Sequence, residues 1–236
     1  MASRSWRAAL AATASLLLLG IVSRGSPPDS GGMCYSAGAY TGAQWVKANQ
    51  TLRYRTVVET PWARVQLHTV RSESGDRTFT DWLWVDERDH INVLAQLSGS
   101  GKFPLWRQSK YGLAGMSLAP TGGFINEGES PLEAAVRELN EELGLRSTSW
   151  TSLGAYRTAV NRGGGTLHSF LALDAVPVAA GSRQVSDDAE RQDKVELSQE
   201  ELLEAVLAGE FAEIKWTATV ALSLLRLPSS RDRQGT

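Results

Sequence analysis

Between Thr51 and Leu97 apolar and polar residues trade places with a period near two. The runs are Tyr54 with Val57 and Val58, then Ala63 to Val70, then Thr80 to Val85, then Ile91 to Leu97. Alternation of this kind turns one side of an extended chain toward a core and the other toward water, so each run predicts a strand. Turn-forming clusters, Glu73-Ser74-Gly75-Asp76 and Glu87-Arg88-Asp89, separate the runs as an antiparallel meander requires. Ile91 to Leu97 and Phe103 to Gln108 read as a further strand pair, joined by Ser98-Gly99-Ser100-Gly101. The period then lengthens to that of a helix over Pro131 to Leu143. Trp150 to Tyr156 and Thr166 to Leu173 return to strand, and Ser198 to Ala208 and Lys215 to Leu227 are helical again. Strands on both sides of one helix, closed by C-terminal helices, predict an α/β or α+β sandwich preceded by an N-terminal antiparallel β region.

Composition narrows this. The chain has 236 residues, 42% hydrophobic and 21% charged, enough for one well-buried core. A net charge of −2 and a pI near 6.0 exclude the basic footprint of a protein that grips nucleic acid through many phosphates. A small anionic substrate stays open, because a metal ion can neutralise its charge locally. Cys34 is the single cysteine, so no intrachain disulfide forms and no Cys-rich zinc site exists.

The N-terminus reads differently from the rest. Arg4 and Arg7 precede an apolar run from Ala8 to Val22, and no acidic residue comes before Asp29. This is the layout of a signal peptide or short signal anchor, which predicts the secretory pathway or a membrane-anchored protein. The rival to it is a transit peptide for mitochondrion or plastid, which an arginine-containing, acid-free leader also suits. The expected organisation is a targeting segment over 1–28, a linker over 29–50 beginning within Ser26-Pro27-Pro28-Asp29-Ser30-Gly31-Gly32, a catalytic domain over 51–227 and a flexible tail over 228–236. Asn49-Gln50-Thr51 is a glycosylation sequon with meaning only on the secretory route.

The chemistry concentrates between Gly123 and Leu145. Ser130 suits a helix N-cap and Pro131 the first helical position. At about 100° per residue, Glu138, Glu141 and Glu142 share one face with Arg137, while Leu132, Ala135, Val136, Leu139 and Leu143 lie opposite. Gly144 suits a left-handed stop. Carboxylates clustered within one turn repel each other, and a helix meant only for solubility would interleave lysines, yet no lysine lies between Gly123 and Leu145. Hard oxygen donors of this kind suit Mg²⁺ or Mn²⁺, which share their coordination with substrate phosphates. Arg137 can pair with Glu129 in the preceding loop, and the paired glycines Gly122 and Gly123 let backbone approach a ligand.

This segment resembles the Nudix box, G-x5-E-x7-R-E-U-x-E-E-x-G-U with U aliphatic, and matches it at every fixed position from Gly123 to Leu145. The resemblance implies a loop–helix–loop on an α/β/α sandwich with a mixed sheet, and a hydrolase of diphosphates linked to nucleosides. It assigns Glu138, Glu141 and Glu142 as ligands of Mg²⁺ (or Mn²⁺), adds a carbonyl of Gly122 or Gly123, and gives Glu129 and Arg137 a supporting part. The general base it leaves open between Glu138 and a carboxylate of a late loop, among Asp187, Asp188, Glu190, Asp193 and Glu196; Glu190 is the choice within that loop.

Outside the box, Tyr54 to Trp62 with Arg64-Val65, Trp106 to Tyr111, and Leu207 to Phe211 are similar to ADP-ribose and ADP-sugar diphosphatases. A proline that this subfamily often carries beyond its box is absent, and Asn161-Arg162-Gly163-Gly164-Gly165 stands there as a hairpin turn or a substrate loop. Arg107 and Lys110 are candidates to meet phosphates, and Trp62 to stack on a base, although packing is the default role for Trp62, Trp82, Trp84 and Trp106. The expected partner is a small nucleoside diphosphate, and a homodimer is expected by the same resemblance. A nucleoside triphosphate or dinucleotide hydrolase is the enzymatic alternative; a catalytically silent binding module would be expected to lose box carboxylates, and none is lost here.

Overall fold

A computed structural model describes residues 50–179 and 192–228. Eleven strands and three helices follow in the order β1 (Thr51–Glu59), β2 (Ala63–Arg71), β3 (Thr78–Glu87), β4 (His90–Leu97), β5 (Phe103–Ser109), β6 (Met116–Ala119), β7 (Thr121–Phe124), α1 (Pro131–Leu143), β8 (Leu145–Arg146), β9 (Ser149–Ala159), β10 (Gly163–Pro177), β11 (Gln192–Leu197), α2 (Gln199–Leu207) and α3 (Ile214–Arg226). The predicted meander is present, with β1 antiparallel to β2 and β2 antiparallel to β3.

The mixed sheet has the order β1-β2-β3-β10-β4-β7, with β8 and β9 also paired to β10. β3 and β4 are separated only by Arg88 and Asp89, and both run parallel to β10. The turn there is close. A Cβ at Gly163, which has φ +91°, would collide with the Val85 carbonyl, so only glycine lets β10 begin against the end of β3. The glycines after Asn161 thus close the hairpin between β9 and β10, where Gly163 pairs with Ala159. The turn reading of this stretch holds.

β4 and β5 do not form the pair expected of them. β4 hydrogen-bonds to β10 and β7, whereas β5 joins β11 and β6 in a second, three-stranded antiparallel sheet. The physical reason lies in β4 itself, which is buried on both faces from His90 to Ala95 and so needs strand neighbours within a covered sheet. On one face, Ile91, Val93 and Ala95 pack against Ala134, Ala135 and Leu139 of α1. On the other, Leu94 and Leu171 pack with Phe103, Leu105, Leu202 and Val220 of the second sheet, α2 and α3.

Candidate active site

The loop before α1 and the helix itself are built as one unit. Ser130 accepts from the Glu133 amide and Glu133 bonds back to the Ser130 amide, a reciprocal cap that fixes where the helix begins. Gly144 ends it in the left-handed region at φ 63°. The buried stripe differs from the predicted one: Leu132 and Val136 are exposed, while Ala134, Ala135, Leu139 and Leu143 are buried. Glu142 is buried with them, only 8% exposed, instead of standing on an open acidic face. The indole N–H of Trp106 donates to Glu142 at 3.1 Å, a partner that helical periodicity could not have shown.

Arg137 organises the rest. Its Nε and Nη2 donate to both oxygens of Glu129 at 2.8 and 2.9 Å, and Nη2 also donates to the Phe124 carbonyl at 2.9 Å. Its Nη1 reaches Glu138 at 2.7 Å and Glu141 at 3.0 Å. This bidentate pairing pulls the Glu129 carboxyl below its ordinary range and raises the already high guanidinium pKa further. Glu138 is shifted the other way. Burial is the largest cause, partly offset by Arg137 and reinforced by the like charges of Glu141 and Glu129.

Gly123 explains why the loop must be bare there, because a Cβ at that position would run into the Glu138 carboxylate. A Cβ at Gly122 would meet the Asn92 side chain and the Ile91 carbonyl. Sequence reasoning missed the residues that pin this loop from outside. Arg88 donates to the Ile125 carbonyl at 3.0 Å and lies 5.1 Å from the centre of the Phe124 ring, and the Asp89 carbonyl accepts from the Ile125 amide at 3.0 Å. Both had been visible only as turn formers.

Metal chemistry fits this donor set. Glu138, Glu141 and Glu142 offer hard oxygens from a single helix, and Gly123 leaves open backbone beside Glu138. Among the described residues no three acidic, histidine or cysteine side chains converge as a ready-made ion cage. Arg137 supplies the counter-charge to Glu138 and Glu141, and Trp106 engages Glu142.

Beside the box lies a cavity of about 430 Å³, lined among others by Trp62, His90, Asn92, Lys110, Lys215 and Trp216. A smaller one of about 100 Å³ shares Asn92, Lys110, Gly122 and Trp216 with it and extends to Trp106 and Glu142. The structure therefore brings Lys110 and Trp62 together with the box glycines. Trp62 is 64% exposed, with its ring 6.2 Å from that of Phe124. Arg107 does not line either cavity and instead pairs with Glu210 at 3.3 Å. Asp187, Asp188 and Glu190 lie outside the described residues. Asp193 and Glu196 sit on β11, opposite Arg107 and Pro104 of β5. A separate cavity of about 380 Å³, lined by His68, Phe79, Trp82 and Trp84, belongs to the N-terminal meander and contains no box residue.

A solved structure described as a crystal structure of an ADP compounds hydrolase superposes with a TM-score of 0.64 at 21% identity, covering 78% of this chain and 95% of that one. The likeness supports the mixed-sheet sandwich. No curated protein sequence matches. A family model for the NUDIX domain matches residues 86–228, from the end of β3 through α3, and takes in the whole of the loop–helix unit built around Arg137. With the complete box in place on that fold, the chain belongs to the NUDIX domain family of hydrolases.

Proposed function

We propose that this chain is a Mg²⁺-dependent diphosphatase that uses water to split nucleoside diphosphate derivatives, with ADP-ribose or another ADP-sugar as the leading substrates, into a nucleoside monophosphate and a sugar phosphate. The observation that carries this is the joint arrangement of Glu129, Arg137, Glu138, Glu141 and Glu142 around a loop whose glycine makes room for a carboxylate. In the bound state Mg²⁺ (or Mn²⁺), held by Glu138, Glu141 and Glu142 with a carbonyl of Gly122 or Gly123, supplies the Lewis acidity that polarises a phosphoryl oxygen and acidifies water.

The chain's own residues do the rest. Arg137 holds loop and helix in register through Glu129, so the carboxylates stay fixed on the packed helix. Glu138, raised in pKa by burial, is one candidate to take the proton from the attacking water, and Glu190 is the other. Trp62 and Lys110 line the neighbouring cavity, where an aromatic face suits a base and an ammonium suits a phosphate.

The deciding experiment is a screen of ADP-ribose, other nucleoside diphosphate sugars, dinucleotides and triphosphates with Mg²⁺, with products identified by mass. ADP-sugar cleavage to AMP and a sugar phosphate, abolished by chelator, is expected; turnover in excess chelator sinks the reading. Glu190→Gln is expected to lower kcat by about 10²–10⁴-fold with little change in KM. Full kcat in that variant and in neutral variants of Asp187, Asp188, Asp193 and Glu196 makes Glu138 the base.

For targeting, the reading is secretory entry or anchoring through Ala8 to Val22, tested by fusing residues 1–60 to a reporter; a mitochondrial, plastid or cytosolic signal contradicts it. No helix among the described residues is long and apolar enough to cross a membrane. We propose a homodimer through the edge strand β1, on the ground that Leu52, Tyr54, Val57 and Val58 are all exposed there. A monomer in sedimentation equilibrium removes it.

A further inference from the structure

Of the three helices among the described residues, one starts differently from the other two. α1 and α2 each open on a serine whose side chain caps the first turn in a reciprocal box with a glutamate. α3 opens on Glu213, which makes no side-chain cap bond, and the carboxylate turns instead to Lys215 at 2.7 Å. The first turn of α3 therefore presents backbone N–H groups that no side chain caps, next to a cation, and Glu213, Lys215 and Trp216 all line the larger cavity. Amides and a positive helix end together favour an anion.

A second feature of the same cavity points to a ligand independently. His90 and Asn92 line it, are 9% and 4% exposed, and carry atoms, His90 Nε2 and Asn92 Nδ2, with no hydrogen-bond partner among the described residues. Buried polar atoms left this way are costly, and a bound group or water satisfies them. The wall is also continuous with the box: Asn92, Lys110, Gly122 and Trp216 belong to both this cavity and the smaller one that reaches Glu142. A diphosphate has two phosphoryl groups, and the carboxylates of α1 repel both unless cations intervene. At the Glu142 end a metal ion would do this; Lys110 lines both cavities, and Lys215 is the cation that lines only the larger one, at the far end.

We infer that Lys215 and the uncapped N-terminus of α3 form an anion subsite for the phosphoryl group that does not undergo attack, so that the diphosphate lies along the wall from Glu142 to α3. The inference rests on the diphosphatase reading above. Lys215 is a binding residue here, released from Glu213 as phosphate oxygens arrive, and it fixes which end of an asymmetric substrate faces the box.

The test uses the full-length chain with ADP-ribose and Mg²⁺. Lys215→Ala is expected to raise KM about tenfold with kcat nearly unchanged, and Lys215→Arg to restore most of the loss. Glu213→Gln removes the competitor for the ammonium and is expected to shift KM in the opposite direction, a result that a merely structural role for the pair does not produce. Calorimetric titration with ADP in excess chelator reads the subsite without turnover, and Lys215→Ala should weaken that binding by a similar factor, with the wild-type affinity falling as salt rises. Lys215→Met, which keeps the aliphatic stem, controls for lost packing, and its unfolding midpoint should match the wild type. Equal KM and equal ADP binding in wild type and Lys215→Ala overturn the inference. Should the wild type cleave no diphosphate, the reading of the activity falls, and the ADP titration in chelator still decides the subsite.

Discussion

Strand β4 presents two unlike surfaces, and the two helical layers packed on them do different work. Toward α1 its side chains are Ile91, Val93 and Ala95, and they meet Ala134, Ala135 and Leu139 in a dry aliphatic interface. Toward α3 they are His90, Asn92 and Leu94, and the neighbouring groups include Ser169 and Thr219, which share a hydrogen bond of 2.8 Å between 0%-exposed residues. Close packing of small alanines against a strand leaves α1 a single position, which suits carboxylates that must stay put while charge is gathered beside them. A polar interior next to a cavity suits recognition, because its donors and acceptors have something to offer a ligand. One strand's alternation thus separates an aliphatic face from a polar one, and on the function proposed above the first would carry the chemistry and the second would read the substrate.

Substitutions on each side should break this division in different ways. The largest effect is expected where the two sides meet, at Glu142. Glu142→Gln removes a charge while keeping volume, so kcat/KM for Mg²⁺-dependent turnover should fall by more than about a hundredfold, beyond what loss of an outer-shell partner costs, with the circular dichroism spectrum unchanged. Full activity would remove Glu142 from the metal set.

On the α1 side, Leu139→Ala opens a cavity at a fully buried position, and a loss of about 2–5 kcal/mol is expected in denaturant unfolding. A loss under about 1 kcal/mol would mean that the layer is looser than its packing implies.

On the α3 side, acid should be the sensitive variable. Burial, then the charge of Lys215, lowers the His90 pKa from 6.5 to about 4, against the Arg88 carbonyl and Asp89, which raise it, while His168 adds to the lowering. The unfolded chain then binds a proton that the folded chain refuses between those values. The sign follows: the stability is fully present above pH 6.5 and declines as pH falls toward 4, at up to about 1.4 kcal/mol per pH unit. His90→Gln should flatten that slope in urea titrations run across the window; an unchanged slope would show that His90 is not its source.

The smallest effect is expected from Thr219→Val, which leaves the Ser169 hydroxyl without its partner at an unchanged volume and should cost about 1–2 kcal/mol. Adding Ser169→Ala should recover part of this, and strict additivity of the two changes would argue against the bond.

The α1 side was legible in the chain down to its site residues; on the α3 side the helix was legible, Lys215 to Leu227 against the observed Ile214–Arg226, but the cavity residues were not. Pro131 to Leu143 matches α1 residue for residue, because a capping serine, a first-turn proline and a closing glycine are all local signals. Glu138, Glu141 and Arg137 were placed together by the same periodicity. Glu142 was assigned to their face but is buried against Trp106, a contact 36 residues away that no local pattern encodes. The short strands β6 and β7 were missed because four residues such as Thr121-Gly122-Gly123-Phe124 carry too few apolar positions to show a period. β4 and β5 were mispaired because the Ser98-Gly99-Ser100-Gly101 turn looks the same whether the chain doubles back or crosses to another sheet. His90, Asn92 and Lys215 gave no sign at all, since their nearness depends on the docking of α3. Arg107 and Lys110, similar candidates in sequence, separate in the structure, one paired with Glu210 and the other on the cavity wall.

β10 has a consequence of another kind. At fifteen residues it is the longest strand described, and it bonds to β4 and to the end of β3 as well as to β8 and β9. From Leu167 to Ala172 it is flanked by β4 on one side and β9 on the other, so those amide protons meet solvent only when these strands and the helical layers packed on them come apart together. In native-state hydrogen exchange the central amides from Leu167 to Ala172 should therefore exchange last and report the global unfolding free energy, whereas β1, exposed along nearly its whole length at the sheet edge, should open first through local fraying.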